Sequence, residues 1–205
     1  MIVIIDLGLG NTGSIINMLK RIGTRAVVSA EADIIAQATK LILPGVGAFD
    51  AGMAQLESRG LINQLHHRVM IEKIPVIGLC LGMQLMMKRS EEGIKPGLGW
   101  IDGECKRFRF PEGETRYKVP HMGWNEVTAC KNSIFFQTDA PPPRFYFVHS
   151  YHIIANDRQD VAGVTHYGYE FASVIEHENI RGTQFHPEKS HRYGMKLLED
   201  FIQKA

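Results

Sequence analysis

The sequence predicts an α/β protein with a central, mostly parallel sheet flanked by helices and with antiparallel strands added in its second half. Two observations carry this. From the N-terminus to about Gly97, short β-branched runs alternate with helical patterns, as βαβ units require. Beyond Gly97, strand-like runs follow one another with turn residues between them and little helical periodicity. A length of 205 residues with 44% hydrophobic and 22% charged content fits one domain over residues 1–205.

In chain order, IVIID opens as a strand and leads into an amphipathic helix from Asn11 to Arg21. RAVVS and KLILP are strands, a helical stretch is expected around Leu61 to Ile71, and IPVIG returns to the sheet. RFYFVHSYHII, DVAGVTHYG, FASVIEHE and NIRGTQFH then read as antiparallel strands joining that sheet. The tail, Arg192 to Gln203, is helical, with Met195, Leu198, Phe201 and Ile202 spaced for one buried face. Between strands, APPPRF (Ala140 to Phe145) is a surface loop, since strand-like sequence resumes at once.

Composition narrows the function classes. Lys+Arg 23 against Asp+Glu 22 leaves a net charge of +1 with scattered basic residues, which argues against a nucleic-acid partner. No apolar run reaches the roughly 18 residues of a membrane span, and MIVIIDLGLG enters a strand without a basic leader. A cytoplasmic protein without a membrane partner is expected. Cys80, Cys105 and Cys130 are odd in number and widely spaced, which suits neither a disulfide framework nor a metal clip, so no metal is expected.

The chemistry begins at VIGLCLGMQ, whose G-x-C-x-G pattern is the cysteine counterpart of a nucleophile elbow. Gly78 and Gly82 leave room for a strand-to-helix turn. A helix starting near Leu81 would set its positive end under Cys80, favour the thiolate and aim the Leu81 N–H at a forming oxyanion. The base must come from nine histidines. His66 and His67 lie in a polar helical stretch, and His166, His177 and His191 lack suggestive neighbours. In GTQFHPEKS, His186 ends a strand-like run and Glu188 lies two residues on, so an extended backbone would send both side chains to one face as base and orienter. In LILPGVGAF, Gly45 and Gly47 bend the chain and leave the N–H of Val46 or Gly47 as a second oxyanion donor; a plain Pro-Gly turn is the other reading of that segment.

Two further patterns compete. Gly8, Gly10 and Gly13 have G-x-G-x-x-G spacing after a strand, with Glu31 placed where a ribose-binding acid would sit, so a dinucleotide-binding protein is the alternative from a different class. Against it stand the polar Asp6, the lack of a second mononucleotide half, and the Cys80 and His186 features it would leave unused. His149 and His152 form a weak metal pair that strand alternation would put on opposite faces.

With GLCLGMQ, LPGVGAF and TQFHPEKS in this order, the chain resembles the class I glutamine amidotransferases over nearly its whole length. VPHMGWN and FYFVHSY are similar to the glutaminase subunits of imidazole glycerol phosphate synthases in histidine biosynthesis. KPGLGWIDGE and HPEKSHRYGMKLL look more like a paralogue serving sugar amidotransferases in surface-polysaccharide synthesis. The resemblance implies a flavodoxin-like fold, L-glutamine as substrate, no cofactor, and a triad of Cys80, His186 and Glu188. It implies an oxyanion hole from the Val46 and Leu81 N–H groups, and glutamine binding by Gly47, Gln84, Glu92 and the backbone at Ser150 and Tyr151. It further implies that Trp124, Tyr146 and Lys189, with the DLGLGN loop on the same side, adjoin a (βα)8-barrel synthase subunit that receives ammonia.

Overall fold

The computed structural model describes all 205 residues. Strands β1 (Ile2–Ile5), β2 (Ala26–Ser29), β3 (Lys40–Gly45) and β4 (Val76–Cys80) alternate with helices α1 (Thr12–Arg21), α2 (Ala32–Ala36), α3 (Phe49–Ser58) and α4 (Leu61–His66). A π-helical stretch, His67–Ile71, extends α4. Helix α5 (Leu81–Leu85) follows β4 without a break. Then come β5 (Arg89–Ser90), β6 (Gly103–Arg107), β7 (His121–Glu126), β8 (Thr128–Ala129), β9 (Arg144–His149), β10 (Tyr151–Ala155), β11 (Val161–Tyr167), β12 (Tyr169–His177) and β13 (Ile180–Thr183). Helix α6 (His191–Lys204) closes the chain.

The main sheet runs β2-β1-β3-β4-β13-β12-β10-β6-β5, with β11 on β12 and β8 on β11. Its first five strands are mutually parallel. Alternation sorts their residues onto two faces. Val3, Ile5, Leu41 and Leu43 meet Phe49, Met53, Leu61 and Leu65 of α3 and α4. Ile2, Ile4, Ile42, Ile77 and Leu79 meet Ile15 and Leu19 of α1 and Leu197, Leu198 and Phe201 of α6. Burial of this two-sided kind is what covers a parallel sheet. The Asn11 side chain accepts from Ser14 N at 3.0 Å, capping α1.

Three sequence expectations need correction. The run RFYFVHSYHII is two strands in two sheets: β9 pairs with β7 in a separate ribbon, and β10 joins the main sheet. The cause is a slip in phase, because Phe145, Phe147 and His149 are buried with period two and then His152 and Ile153 are buried together. Strand β13 is antiparallel to β12 but parallel to β4, and alternation carries no information on direction. Helix α3 was not expected: its buried positions, Phe49, Gly52, Met53 and Leu56, have helical spacing, but a glycine occupies one of them. A Cβ on Gly52 would meet Leu85 at 3.0 Å, which is why an apolar side chain is absent from that stripe.

Candidate active site

The site lies at the carboxyl ends of β3 and β4, and the carboxyl ends of the strands are the usual ligand position of such sheets. Cys80 is the last residue of β4, paired in register with Gly45 of β3. Its φ of +52° and ψ of −106° form the turn, and α5 begins at the next residue. A Cβ on Gly82 would lie 1.7 Å from the Leu43 carbonyl oxygen, and one on Gly78 2.6 Å from Met83 N, so both glycines are required by close backbone approach. Leu81 is the first residue of α5, and a first-turn N–H has no partner within its helix.

His186 and Glu188 come together by a different route from the one expected. Strand β13 ends at Thr183, and although His186 itself is extended (φ −101°, ψ 99°), the chain then turns: Pro187–Lys189 form a 3-10 turn with His186 at its start. That turn brings His186 Nδ1 to 2.8 Å from Glu188 Oε1, both side chains nearly inaccessible. The turn is held by His186 N donating to Tyr146 O (2.9 Å). The Ser190 hydroxyl adds a bond to His186 O (2.6 Å) and accepts from Tyr146 N (3.0 Å). His186 Nε2 is buried without a hydrogen-bond partner. Burial disfavours the imidazolium, but the neighbouring Cys80 and Glu188 outweigh it and push the His186 pKa up to about 10.

A cavity of about 470 Å³ lies over Cys80 and His186, within the size range of small-molecule sites. Val46 and Gly47 border it from the end of β3, with Gly47 at φ +106°. Leu81 and Gln84 border it from α5, and Ser150 and Tyr151 from the β9–β10 junction. Glu92 completes the wall; its Oε2 accepts from Phe49 N at 2.8 Å, which caps α3 with a carboxylate. Desolvation raises the Glu92 pKa. Glu188 stands behind His186 and does not border this cavity. Cys105 and Cys130 are elsewhere, and burial pushes both thiols up.

Trp124, Tyr146 and Lys189 also converge. Trp124 faces Tyr146 across the β7–β9 ribbon, with ring centroids 6.3 Å apart, and Lys189 Nζ lies 5.7 Å above the Tyr146 ring. Beside them, His191 stacks on Trp124 at 5.6 Å. The glycines of the N-terminal loop serve the turn. Gly8 and Gly10 have φ of +66° and +113°, and a Cβ on Gly10 would sit 3.7 Å from Gly45 Cα, against the Val46 loop. His149 and His152 are not on opposite faces, because the chain breaks at Ser150; both pack on Phe108, at 5.3 and 4.8 Å. No group of three or more metal-ligating side chains occurs. His177, dismissed on sequence, pairs with Asp160 at 2.8 Å, while His66 and His67 are exposed.

Two features were not anticipated. Fully buried Gln184 donates to Cys80 Sγ at 3.7 Å; it lies two residues before His186, inside TQFHPEKS, the one signal that could have marked it. A buried pair, His121 Nδ1 to His149 Nε2 at 3.0 Å, reaches the cavity through His149, which borders it.

Comparisons with known proteins identify the family. A chain from Pseudomonas aeruginosa named imidazole glycerol phosphate synthase subunit HisH 2 is 49% identical, over 99% of each chain. Its namesake in Methanococcus maripaludis is 47% identical over the whole of both. A crystal structure described as a glutamine amidotransferase superposes with a TM-score of 0.75 at 17% identity, covering 98% of this chain and 97% of that one, a likeness of fold. The family model for glutamine amidotransferase class-I matches residues 3–205, and this chain belongs to that family.

Proposed function

We propose that the chain hydrolyses L-glutamine to L-glutamate and ammonia, with Cys80, His186 and Glu188 as catalytic triad. The observation that carries this is Cys80 on its strained turn, facing the buried His186–Glu188 pair across one cavity. His186 Nε2 takes the proton of the Cys80 thiol and becomes the imidazolium that its raised pKa favours. Sulfur attacks the side-chain amide carbon of glutamine, and the oxyanion forms against the N–H groups of Leu81 and Val46. As the C–N bond breaks, the nitrogen takes the proton from His186 Nε2 and leaves as ammonia. His186 then removes a proton from water, which attacks the γ-glutamyl thioester, releases glutamate and restores the thiol. Glu188 keeps the Nδ1 proton on its side throughout, leaving Nε2 for the chemistry. Gln84, Glu92, Gly47 and the backbone at Ser150 and Tyr151 are assigned to glutamine binding.

Ammonia passes to a (βα)8-barrel synthase subunit in the cytoplasm. The acceptor is the histidine-pathway intermediate converted to imidazole glycerol phosphate and AICAR. Support for a docked partner comes from Met122, Trp124 and Val46, which are 61%, 40% and 42% exposed. Both relatives are named as subunits. A sugar, aminated by a sugar amidotransferase partner in surface-polysaccharide synthesis, is the alternative acceptor, favoured by KPGLGWIDGE and HPEKSHRYGMKLL. Reconstitution with each candidate synthase decides between them. The isolated chain is expected to be a weak glutaminase, and the correct partner raises glutamate release. Cys80→Ala should abolish glutamine-dependent amination while added ammonia still supports the partner. Glutaminase activity surviving in that variant sinks the proposal.

A further inference from the structure

The buried amides around Cys80 have a fixed polarity. The Tyr151 carbonyl oxygen can only accept, so the Gln84 atom 3.0 Å from it must be the amide nitrogen. The same nitrogen lies 3.2 Å from Gln184, which must then present its oxygen. Gln184 Nε2 is thereby turned toward Cys80 Sγ, at 3.7 Å. From the other side, His149 Nδ1 donates to the same Tyr151 oxygen at 2.7 Å, so that acceptor is engaged twice and locked. An amide flip at Gln184 would place its nitrogen against the Gln84 nitrogen, donor against donor, in a space where Gln184 is 0% exposed, and buried polar groups do not tolerate that mismatch. The sulfur therefore always meets a donor. A hydrogen bond from a neutral donor is worth more to an anion than to a neutral acceptor.

We infer that Gln184 is a positioning residue for the nucleophile: its amide N–H, oriented by Gln84 and the Tyr151 carbonyl, stabilises the Cys80 thiolate and holds Sγ toward the cavity. This deepens the glutaminase proposal and rests on it. Gln84 acquires a second role, since the nitrogen that orients Gln184 leaves its oxygen for the cavity side.

The test reads the thiol directly, without turnover. Full-length protein is treated with iodoacetamide across the pH range, and modification of the Cys80 peptide is followed by mass spectrometry. In Gln184→Met, which keeps the volume and removes the donor, the profile should move to higher pH. The rate at neutral pH should fall about tenfold, with the plateau rate at high pH unchanged. Gln184→Glu still accepts from Gln84 but sets a carboxylate oxygen beside sulfur, so it should move the profile in the same direction. It also serves if the Met variant fails to fold. Profiles of either folded variant that superimpose on wild type overturn the inference. So does an equal loss at neutral pH and at the plateau, which would mean altered access. Cys80 inert to alkylation in the wild-type protein would instead count against the glutaminase reading itself.

Discussion

Cys80 shows what one residue's backbone does for a site. A φ of +52° with ψ of −106° is a conformation that a residue with a Cβ adopts only under constraint, at a cost of about 1–3 kcal/mol. The constraint comes from neighbours. Gly45 is paired opposite Cys80, and α5 is pressed onto β3 at Gly82, so the chain has to turn within a single residue. It follows that Cys80→Gly should be more stable than Cys80→Ala by about 1 kcal/mol, reversing the order of these residues in ordinary structure. Calorimetric melting of the two variants, both without activity, checks this; an alanine variant as stable as the glycine one would mean that the turn is unstrained. At this scale the sequence was highly legible for Cys80, since paired glycines around a cysteine are a pattern. It was poorly legible for Gln184, because nothing in a lone glutamine announces that its partner is a sulfur 104 residues away.

Among elements, the docking of α5 on β3 controls the site. It carries Leu81 and Gln84 to the cavity and leaves Cys80 at its corner. A methyl group on Gly82 would overlap the Leu43 carbonyl at 1.7 Å, a backbone contact that no side-chain rotation relieves. Gly82→Ala should therefore displace the whole helix, with a loss of about 3 kcal/mol or more in stability and loss of glutaminase activity. Gly47→Ala is the informative contrast, because its Cβ would meet nothing within 4 Å while its φ of +106° excludes alanine. There the cost falls on the Val46–Gly47 turn alone, so catalysis should drop sharply with a melting temperature close to wild type. Equal destabilisation of the two would show that the turn is part of the core. The elements differ in legibility for similar reasons. The parallel strands read clearly because β-branched runs mark them, whereas α3 was hidden by the glycine that allows it to pack on Leu85. The split between β9 and β10 was visible only as a phase slip at Ser150, and the direction of β13 depends on what lies beside it rather than on its own residues.

For the whole molecule, the histidines of the site and of its supporting wall impose opposite pH dependences. His186 has a folded pKa of about 10 against the model-peptide value of 6.5, so its contribution to stability is complete below pH 6.5 and is lost as pH rises through about 10. His121 is the reverse case. Burial lowers its pKa to about 4, so the unfolded chain binds a proton that the native state refuses, and stability falls as pH drops from 6.5 toward 4. That interval corresponds to roughly 3 kcal/mol. His149 acts in the same direction, lowered by burial and by His121, His152 and His186 around it. Carboxylates with depressed pKa values, such as Glu91 at about 2, which accepts from Arg107 N, withdraw stability only below about pH 4.5. Between pH 4.5 and 6.5 the acid limb therefore belongs to the buried histidines. Melting temperature against pH should peak near 6.5. His121→Asn, which can still donate to His149 but cannot take up a proton, should flatten the acid limb between 6.5 and 4.5 and leave the alkaline limb as it is. Glu188→Gln removes a charge that holds His186 protonated, and should bring the alkaline loss to lower pH with the acid limb unchanged. Curves of both variants that merely run parallel to wild type, offset at every pH, would show that these groups support the fold by packing and not by their charge. The wall and the nucleophile meet at Tyr151, whose carbonyl accepts from His149 on one side and from Gln84 on the other, so the histidine that must stay neutral and the amide that turns Gln184 toward Cys80 are joined through a single peptide.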